Sequence, residues 1–137
     1  MSLLWDTSAI VAYYYSDDVF HRAAWDFMNE VKKKRLYRKF YITDYILDES
    51  LTFLECVAKD HDLAKEVGEA LLKSNFVTME PVDEELLGES WDLFRRRRGL
   101  SFTDCTSFSL MRRKELTMAF TFDRHFKEEG FEALPKI

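Results

Sequence analysis

Hydrophobic positions along the chain fall into short apolar runs and longer stretches with helical spacing. The short runs predict strands near residues 3–5, 40–42, 76–79, 117–122 and 131–134. The longer stretches predict helices near residues 9–15, 19–34, 44–57, 63–73, 84–98 and 101–114, with a short helix after Asp123. Strands separated by helices favour parallel pairing with right-handed crossovers. The pattern therefore predicts an α/β fold, an α/β/α sandwich with a parallel sheet of four or five strands.

Length and composition favour one globular domain spanning residues 1–137. The chain has 47% hydrophobic residues, four glycines and two prolines, which excludes a disordered or collagen-like chain. No apolar stretch approaches the roughly 20 residues of a membrane span, and the N-terminus lacks a secretory signal pattern. The two cysteines, Cys56 and Cys105, have no metal-binding spacing. We expect a cytoplasmic protein with no membrane partner.

The charge is unevenly distributed. The net charge is −5, yet ten of the 20 Lys and Arg residues lie in two short runs, at 32–39 and at Arg95–Arg98. The run Arg95–Arg98 (Arg95, Arg96, Arg97 and Arg98) directly precedes the loop that leads to Asp104, so it is a candidate for holding the phosphate backbone of a nucleic acid. The alternative is a solvated helix end, where cations interact favourably with the helix dipole.

Aspartates occur where a parallel sheet places its ligand site. Asp6 follows the first strand and Asp123 follows the fourth, at the carboxyl ends of their strands. Asp104 shares a helix face with apolar residues, where an unpaired carboxylate is costly. A shared Mg²⁺ or Mn²⁺ ion would stabilise all three, which predicts metal-dependent phosphodiester cleavage. Taken singly, Asp6 and Asp123 are explained equally well as helix N-caps.

Four segments together resemble a known family. They are LLWDTSAIVA at 3–12, TDYILDESLT at 43–52, LSFTDCTSF at 100–108 and TFDRHF at 121–126. In order and distance they resemble the PIN domain family, most closely the toxin ribonucleases of VapBC-type toxin–antitoxin pairs. The resemblance extends over nearly the whole chain and implies a PIN-like α/β/α fold with endoribonuclease activity.

The resemblance also implies site residues and a cofactor. The acidic pocket would consist of Asp6, Glu49, Asp104 and Asp123, with Asp6, Asp104 and Asp123 as ligands of one or two Mg²⁺ or Mn²⁺ ions. Thr7 and Thr121 would support these acids from outside the ligand set. Helical spacing alone does not distinguish Glu49 from Asp48, so the choice of Glu49 comes from the family. The implied reaction is in-line attack of water on an RNA phosphodiester.

The resemblance further implies protein partners, a homodimer and an antitoxin peptide bound near the early helices. An aromatic cluster in this region, comprising Tyr13, Tyr14, Tyr15, Phe20, Trp25 and Phe27, is a candidate interface, although aromatic residues more commonly fill a core. Two other functions stay open, a non-catalytic module that binds RNA or protein and a housekeeping RNA-processing nuclease. Phosphoreceiver and nucleotide-binding domains lack their diagnostic residues here.

Two reactive side chains near the acidic residues are not assigned to the site. His125 lies two positions after Asp123, but a single histidine is weak evidence for a ligand. Cys105 adjoins Asp104, and a packed thiol is the commoner role for such a cysteine.

Overall fold

The structure, a computed structural model, describes residues 1–136 and confirms the α/β prediction. The strands are β1 (Ser2–Trp5), β2 (Lys39–Thr43), β3 (Val77–Glu80), β4 (Met118–Phe120) and β5 (Glu132–Leu134). The helices are α1 (Thr7–Tyr14), α2 (His21–Lys34), α3 (Asp44–Thr52), α4 (His61–Lys73), α5 (Glu84–Arg96), α6 (Phe102–Lys114) and α7 (His125–Glu128). The strands form one parallel sheet in the order β3-β2-β1-β4-β5.

The centre of the sheet is β1, which pairs with both β2 and β4. Leu4 aligns with Tyr41 on β2 and with Ala119 on β4. Leu3 and Leu4 are both fully buried, although successive strand residues point to opposite faces. Helices therefore cover both faces of the sheet, as in a three-layer sandwich.

The strand order brings segments that are distant in the sequence together at the carboxyl ends of the strands. From β1 the chain first adds β2 and β3 on one side of the sheet and then adds β4 and β5 on the other side. Parallel α/β sheets form ligand clefts at such a change of direction. The backbone N–H of Asp6 donates to the carbonyl of Phe120 at 3.0 Å, so the chain leaving β1 is tied to the end of β4. Residues near 6 and 121 are therefore neighbours.

Several predicted element boundaries differ from the structure by two residues or more at one end, including those of α2, α5 and β4. Helix α2 begins at His21 rather than at residue 19, because Asp18 accepts the backbone N–H of Phe20 at 2.8 Å and holds a turn. Helix α5 ends at Arg96 rather than at residue 98, since Arg97 has extended backbone angles. Strand β4 is limited to Met118–Phe120.

The predicted helix near residues 44–57 changes its hydrogen-bond pattern partway along. Its last part, Phe53–Val57, is a π-helical turn, and apolar spacing does not reveal such a turn. No helix within residues 1–136 is long and apolar enough to span a membrane.

Candidate active site

An acidic cleft lies at the carboxyl ends of β1 and β4. It has a volume of about 370 Å³. The residues that line this acidic cleft are Asp6, Thr7, Ser8, Glu49, Gly99, Ser101, Asp104, Asp123 and His125. The structure thus brings all four acidic residues suggested by the sequence to one place, from the residue after β1, from α3, from α6 and from the segment after β4.

Asp6 is buried and is held by two hydroxyl groups. Its Oδ2 accepts from Ser8 Oγ at 2.7 Å and from Thr121 Oγ1 at 2.9 Å. The same carboxylate caps α1 by accepting the backbone N–H of Ser8 at 3.4 Å. The capping and site interpretations of Asp6 are therefore compatible, because one oxygen caps the helix while the side chain lines the acidic cleft.

The supporting hydroxyls differ in part from those that the resemblance implies. Thr121 Oγ1 donates to Asp6 and accepts the backbone N–H of Asp123 at 3.0 Å, so it connects two of the acids. The Thr7 hydroxyl lines the cleft but has no hydrogen-bond partner within residues 1–136. Ser8 supplies the second hydroxyl and also accepts the backbone N–H of Phe122 at 2.9 Å. The sequence could have pointed to Ser8, because it is a hydroxyl residue two positions after an aspartate that caps a helix.

Asp104 lies in the first turn of α6 with 7% of its surface exposed. Ser101 caps this helix, accepting the backbone N–H of Asp104 at 3.0 Å. Burial, together with the charges of Asp6, Asp123 and Glu49, raises the pKa of Asp104 to about 7.

Asp6 has a raised pKa for the same reason. Burial raises the pKa of Asp6 to about 6, although the hydrogen bonds from Ser8 and Thr121 lower it. Perturbed carboxyl groups of this kind, gathered in a cleft, are typical of functional sites.

The structure distinguishes Glu49 from its neighbour Asp48. Glu49 is half-buried and lines the acidic cleft, and its charge acts on both Asp6 and Asp104. Asp48 is exposed and accepts a contact from the Thr52 hydroxyl at 3.4 Å. Helical spacing did not separate the two because it does not show where α3 meets the other acids.

His125 also lines the acidic cleft, although it was not among the predicted site residues. Its Nδ1 lies 3.0 Å from Asp123 Oδ1 and 3.7 Å from Asp104 Oδ2, without the angles of a hydrogen bond. The backbone N–H of His125 donates to Asp123 Oδ1 at 2.9 Å. The signal available in the sequence is the Asp-x-His spacing, because Asp often accepts the backbone N–H two residues later.

The donor atoms in the acidic cleft fit a divalent cation. One ligand atom from each of Asp104, Asp123 and His125 can lie within 4.8 Å of the others. Asp6 lies outside this compact set but influences it through its charge. Within residues 1–136, no Lys or Arg lines the cleft. Carboxylate oxygens are the ligands that Mg²⁺ and Mn²⁺ prefer.

The arginine run does not line the acidic cleft. Arg95 and Arg96 both contact Asp92 on their own helix. Arg97 pairs with the buried carboxylate of Glu129, which also accepts Arg112 Nη2 at 2.9 Å.

Arg98 is exposed and forms no ion pair within residues 1–136. The four consecutive arginines therefore have different environments, which the sequence did not indicate.

Comparisons with known proteins agree with this geometry. VapC20 of Mycobacterium tuberculosis, a 23S rRNA-specific endonuclease, is 32% identical over 91 residues, which is 65% of this chain and 68% of VapC20. The crystal structure of VapC20, described as a Sarcin-Ricin loop cleaving toxin, superposes with a TM-score of 0.85 at 27% identity over 94% of this chain and 95% of that one.

A second solved structure shares the fold alone. VapBC2 from Rickettsia felis, bound to a DNA fragment from its promoter, superposes with a TM-score of 0.68 at 12% identity over 97% of each chain. Residues 3–132 match the PIN domain as a family. With its parallel sheet and the convergence of acidic residues at the strand ends, this chain belongs to the PIN domain family.

Proposed function

We propose that this protein is a VapC-like toxin that cleaves RNA endonucleolytically and requires Mg²⁺ or Mn²⁺. The observation that carries the proposal is the convergence of Asp6, Glu49, Asp104 and Asp123 in one cleft that has no Lys or Arg within residues 1–136. Four carboxylates alone would repel a phosphodiester. The acidic cleft becomes suitable for RNA chemistry once a divalent cation offsets their charge.

The residues of the acidic cleft have distinct tasks in this proposal. Asp104 and Asp123 would hold the ion together with Asp6, and Glu49 adds a fourth carboxylate. A bound divalent cation supplies positive charge for the phosphate and makes water more acidic.

Asp6 is fixed by Ser8 and Thr121, so its orientation is set before substrate binds. One of the carboxylates accepts the proton that the attacking water loses. The backbone N–H of His125 donates to Asp123 Oδ1 at 2.9 Å and so orients the Asp123 carboxylate.

The proposal is tested by RNA cleavage with matched acidic variants. Wild-type protein, Asp104→Asn and Glu49→Gln are incubated with RNA and Mn²⁺ or Mg²⁺, with EDTA as the metal-free control. Asp48→Asn is the matched control because Asp48 is exposed beside Glu49. We expect cleavage by wild type and Asp48→Asn only. Cleavage that survives EDTA, or that Asp104→Asn retains in full, would overturn the proposal.

The first substrate for this assay is 23S rRNA. Since the relative VapC20 is a 23S rRNA-specific endonuclease, we propose ribosomal RNA as the substrate class for this chain and therefore a cytoplasmic location. Cleavage of ribosomal RNA at one position would support a toxin. Trimming of precursor RNA at its ends would favour the housekeeping nuclease. Binding of RNA with no cleavage would favour the non-catalytic module.

The antitoxin partner is also a proposal, supported by a groove near the early helices. This groove of about 460 Å³ is lined in part by Trp5, Tyr13, Tyr14, Met28 and Lys32. Aromatic side chains such as those that line this groove are enriched at protein interfaces. We expect Tyr13→Ala to weaken binding of a peptide from the protein encoded next to this gene, measured by tryptophan fluorescence.

A homodimer stays a proposal as well. Helix α5 exposes a row of apolar side chains, Leu87, Trp91 and Phe94, which lie on one side at helical spacing. Exposed apolar patches often mark protein interfaces. Light scattering after size exclusion should give twice the chain mass for wild type and the single mass for Trp91→Glu. A monomeric wild-type protein would contradict the homodimer.

A further inference from the structure

A larger cavity adjoins the acidic cleft on the far side of Asp123. It has a volume of about 550 Å³ and is bounded by the segment after β4 and by the end of the chain near β5. Asp123 lines both the cavity and the acidic cleft. Thr121 lines the cavity, and its hydroxyl donates a hydrogen bond to Asp6. Whatever occupies the cavity is therefore adjacent to the acidic residues.

The cavity walls combine aromatic and basic side chains. Phe122 and Phe131 contribute aromatic surface, and Arg124, Lys127 and Lys136 contribute positive charge. Aromatic side chains that stack on bases, next to cations that contact phosphates, are the usual means of binding single-stranded nucleic acid. The acidic cleft has no Phe, Tyr, Trp, Lys or Arg among its lining residues in the part of the chain that the structure describes.

The aromatic side chains are held in place by the surrounding structure. Phe131 stacks on the buried Phe108 with ring centroids 5.8 Å apart. Phe122 stacks on Phe20 with centroids 4.6 Å apart and an interplanar angle of 4°. Such fixed rings lose little conformational freedom when a base binds.

The basic side chains are available to a phosphate. Lys127 is exposed and forms no ion pair within residues 1–136. Arg124 and Lys136 have only exposed partners, Glu128 at 3.5 Å and Glu132 at 3.2 Å. Exposed pairs of this kind are weak, so a phosphate can replace these partners at little cost.

We propose that this cavity, here called the nucleotide pocket, binds the RNA nucleotide next to the bond that is cut. Its base lies against Phe122 and Phe131, and its phosphate is contacted by Lys127 and Arg124. The position of the nucleotide pocket beside Asp123 then sets which phosphodiester enters the acidic cleft. The inference rests on the proposed function only in naming the nucleotide as part of a substrate.

The test of binding uses mononucleotides and no metal, so it is independent of catalysis. Nucleoside 5′-monophosphates of A, G, C and U are titrated into the labelled full chain in EDTA, followed by amide chemical shifts. We expect shifts concentrated at residues 121–136 and a Kd at least 5-fold higher for Lys127→Glu. Lys65→Glu, an equal charge change at an exposed position on α4, is the control and should leave the Kd unchanged.

Two further titrations separate the base from the phosphate. Inorganic phosphate should shift fewer amides and bind more weakly than the mononucleotides, because it cannot stack. Equal effects of phosphate and mononucleotides would mean that the cavity is an anion site only and would overturn the nucleotide pocket. Absence of shifts at residues 121–136, or an unchanged Kd for Lys127→Glu, would overturn it as well.

Cleavage kinetics separate this inference from the proposed function. With RNA substrate, Lys127→Glu should raise KM at least 5-fold while kcat changes less than 2-fold, because Lys127 acts in binding. Mononucleotide binding by a protein that cuts no RNA would overturn the proposed function and support the nucleotide pocket. RNA cleavage with an unchanged KM for Lys127→Glu would overturn the nucleotide pocket and leave the nuclease standing.

Discussion

Thr121 Oγ1 donates a hydrogen bond to Asp6 Oδ2 at 2.9 Å, across 115 positions of the chain. This bond connects the ends of the neighbouring strands β1 and β4 directly at the acidic cleft. Because Thr121 also accepts the backbone N–H of Asp123, one hydroxyl fixes two acidic residues relative to each other.

Thr121→Val removes this hydroxyl while keeping the shape of the side chain. The buried carboxylate of Asp6 loses a hydrogen-bond donor, so we expect the free energy of unfolding to fall by about 1–2 kcal/mol. RNA cleavage should fall at least 10-fold, because Asp6 and Asp123 are no longer held together. Urea denaturation and cleavage rates provide the two measurements.

The matched control for this substitution is Thr52→Val. Thr52 is exposed, and its hydroxyl contacts Asp48 at 3.4 Å, so the same atoms are removed from a surface Thr–Asp contact. Stability and cleavage should stay close to those of wild type. If both variants behaved alike, the bond between Thr121 and Asp6 would have no special role.

The second prediction concerns the metal-free protein. The pKa of Asp104 is about 7 in the folded state against an ordinary value of 3.8, chiefly because the group is buried. The folded chain therefore binds more protons than the unfolded chain between about pH 4 and pH 7. In EDTA, stability should fall as the pH rises through this window and stay low above it.

Asp104→Asn removes one of the two buried carboxyl groups with a raised pKa and should reduce this pH dependence to the part that comes from Asp6. We expect the variant to be more stable than wild type by roughly 1–3 kcal/mol at pH 8 and similar to it at pH 4, by urea denaturation in EDTA. Mg²⁺ at pH 8 should stabilise wild type and leave the variant unchanged. A variant less stable than wild type at pH 8 would contradict the raised pKa.

Much of this architecture could be predicted from the sequence, for physical reasons. Buried parallel strands such as β1 give continuous apolar runs, and Asp6 and Asp123 follow such runs directly, so their place at the strand ends was predictable. Glu49 and His125 were harder, because each reaches the acidic cleft only through the packing of its helix or turn. The ion pair of Arg97 could not be predicted from the sequence, because its partner Glu129 lies 32 positions further along the chain, directly after α7.

An ion pair between Asp83 and Arg113 joins the start of α5 to the last turn of α6. Asp83 caps α5 by accepting the backbone N–H of Leu86 at 2.8 Å and also pairs with both terminal nitrogens of Arg113. The hydrogen bonds from Arg113 and the Leu86 backbone lower the pKa of Asp83 to about 2. The carboxylate thus stabilises the fold above pH 4, and this contribution is lost as the pH falls from about 4 to 2.

Asp83→Asn keeps a capping side chain but removes the charge. We expect a lower Tm than wild type at pH 7 and a difference that disappears towards pH 2, measured by thermal unfolding across that range. Asp92→Asn, which removes the exposed pair with Arg95, is the control and should change Tm less. A constant difference at all pH values would show that the ion pair is not the cause.

The fourth prediction concerns Glu129, whose side chain is 5% exposed between Arg97 and Arg112. Removing the charge from Glu129 leaves both guanidinium groups without their carboxylate. Since the arginines remain half-exposed, we expect Glu129→Gln to lose roughly 1–3 kcal/mol of stability, at the lower end for a broken ion pair of this kind. Glu128→Gln, a neighbouring exposed glutamate, should lose less than 0.5 kcal/mol in the same urea denaturation.

The last prediction separates two arginines that are adjacent in the sequence. Arg98 is exposed without an ion pair within residues 1–136, whereas Arg97 is held by Glu129. If the arginine run contacts RNA, Arg98 can do so without giving up a contact that the structure shows, whereas Arg97 cannot. Each contact to a single-stranded phosphate contributes about 0.7 to the slope of log K against log salt.

We expect Arg98→Ala to reduce that slope by about 0.7 with unchanged stability, because it removes a phosphate contact alone. Arg97→Ala should reduce stability and leave the slope nearly unchanged, because it breaks the pair with Glu129. Fluorescence anisotropy of a labelled RNA bound to the Asp104→Asn protein, at several salt concentrations, measures both slopes without cleavage. An unchanged slope for Arg98→Ala would show that Arg98 does not contact the RNA backbone and is only a solvated charge beyond the end of α5, where positive charge favours the helix dipole.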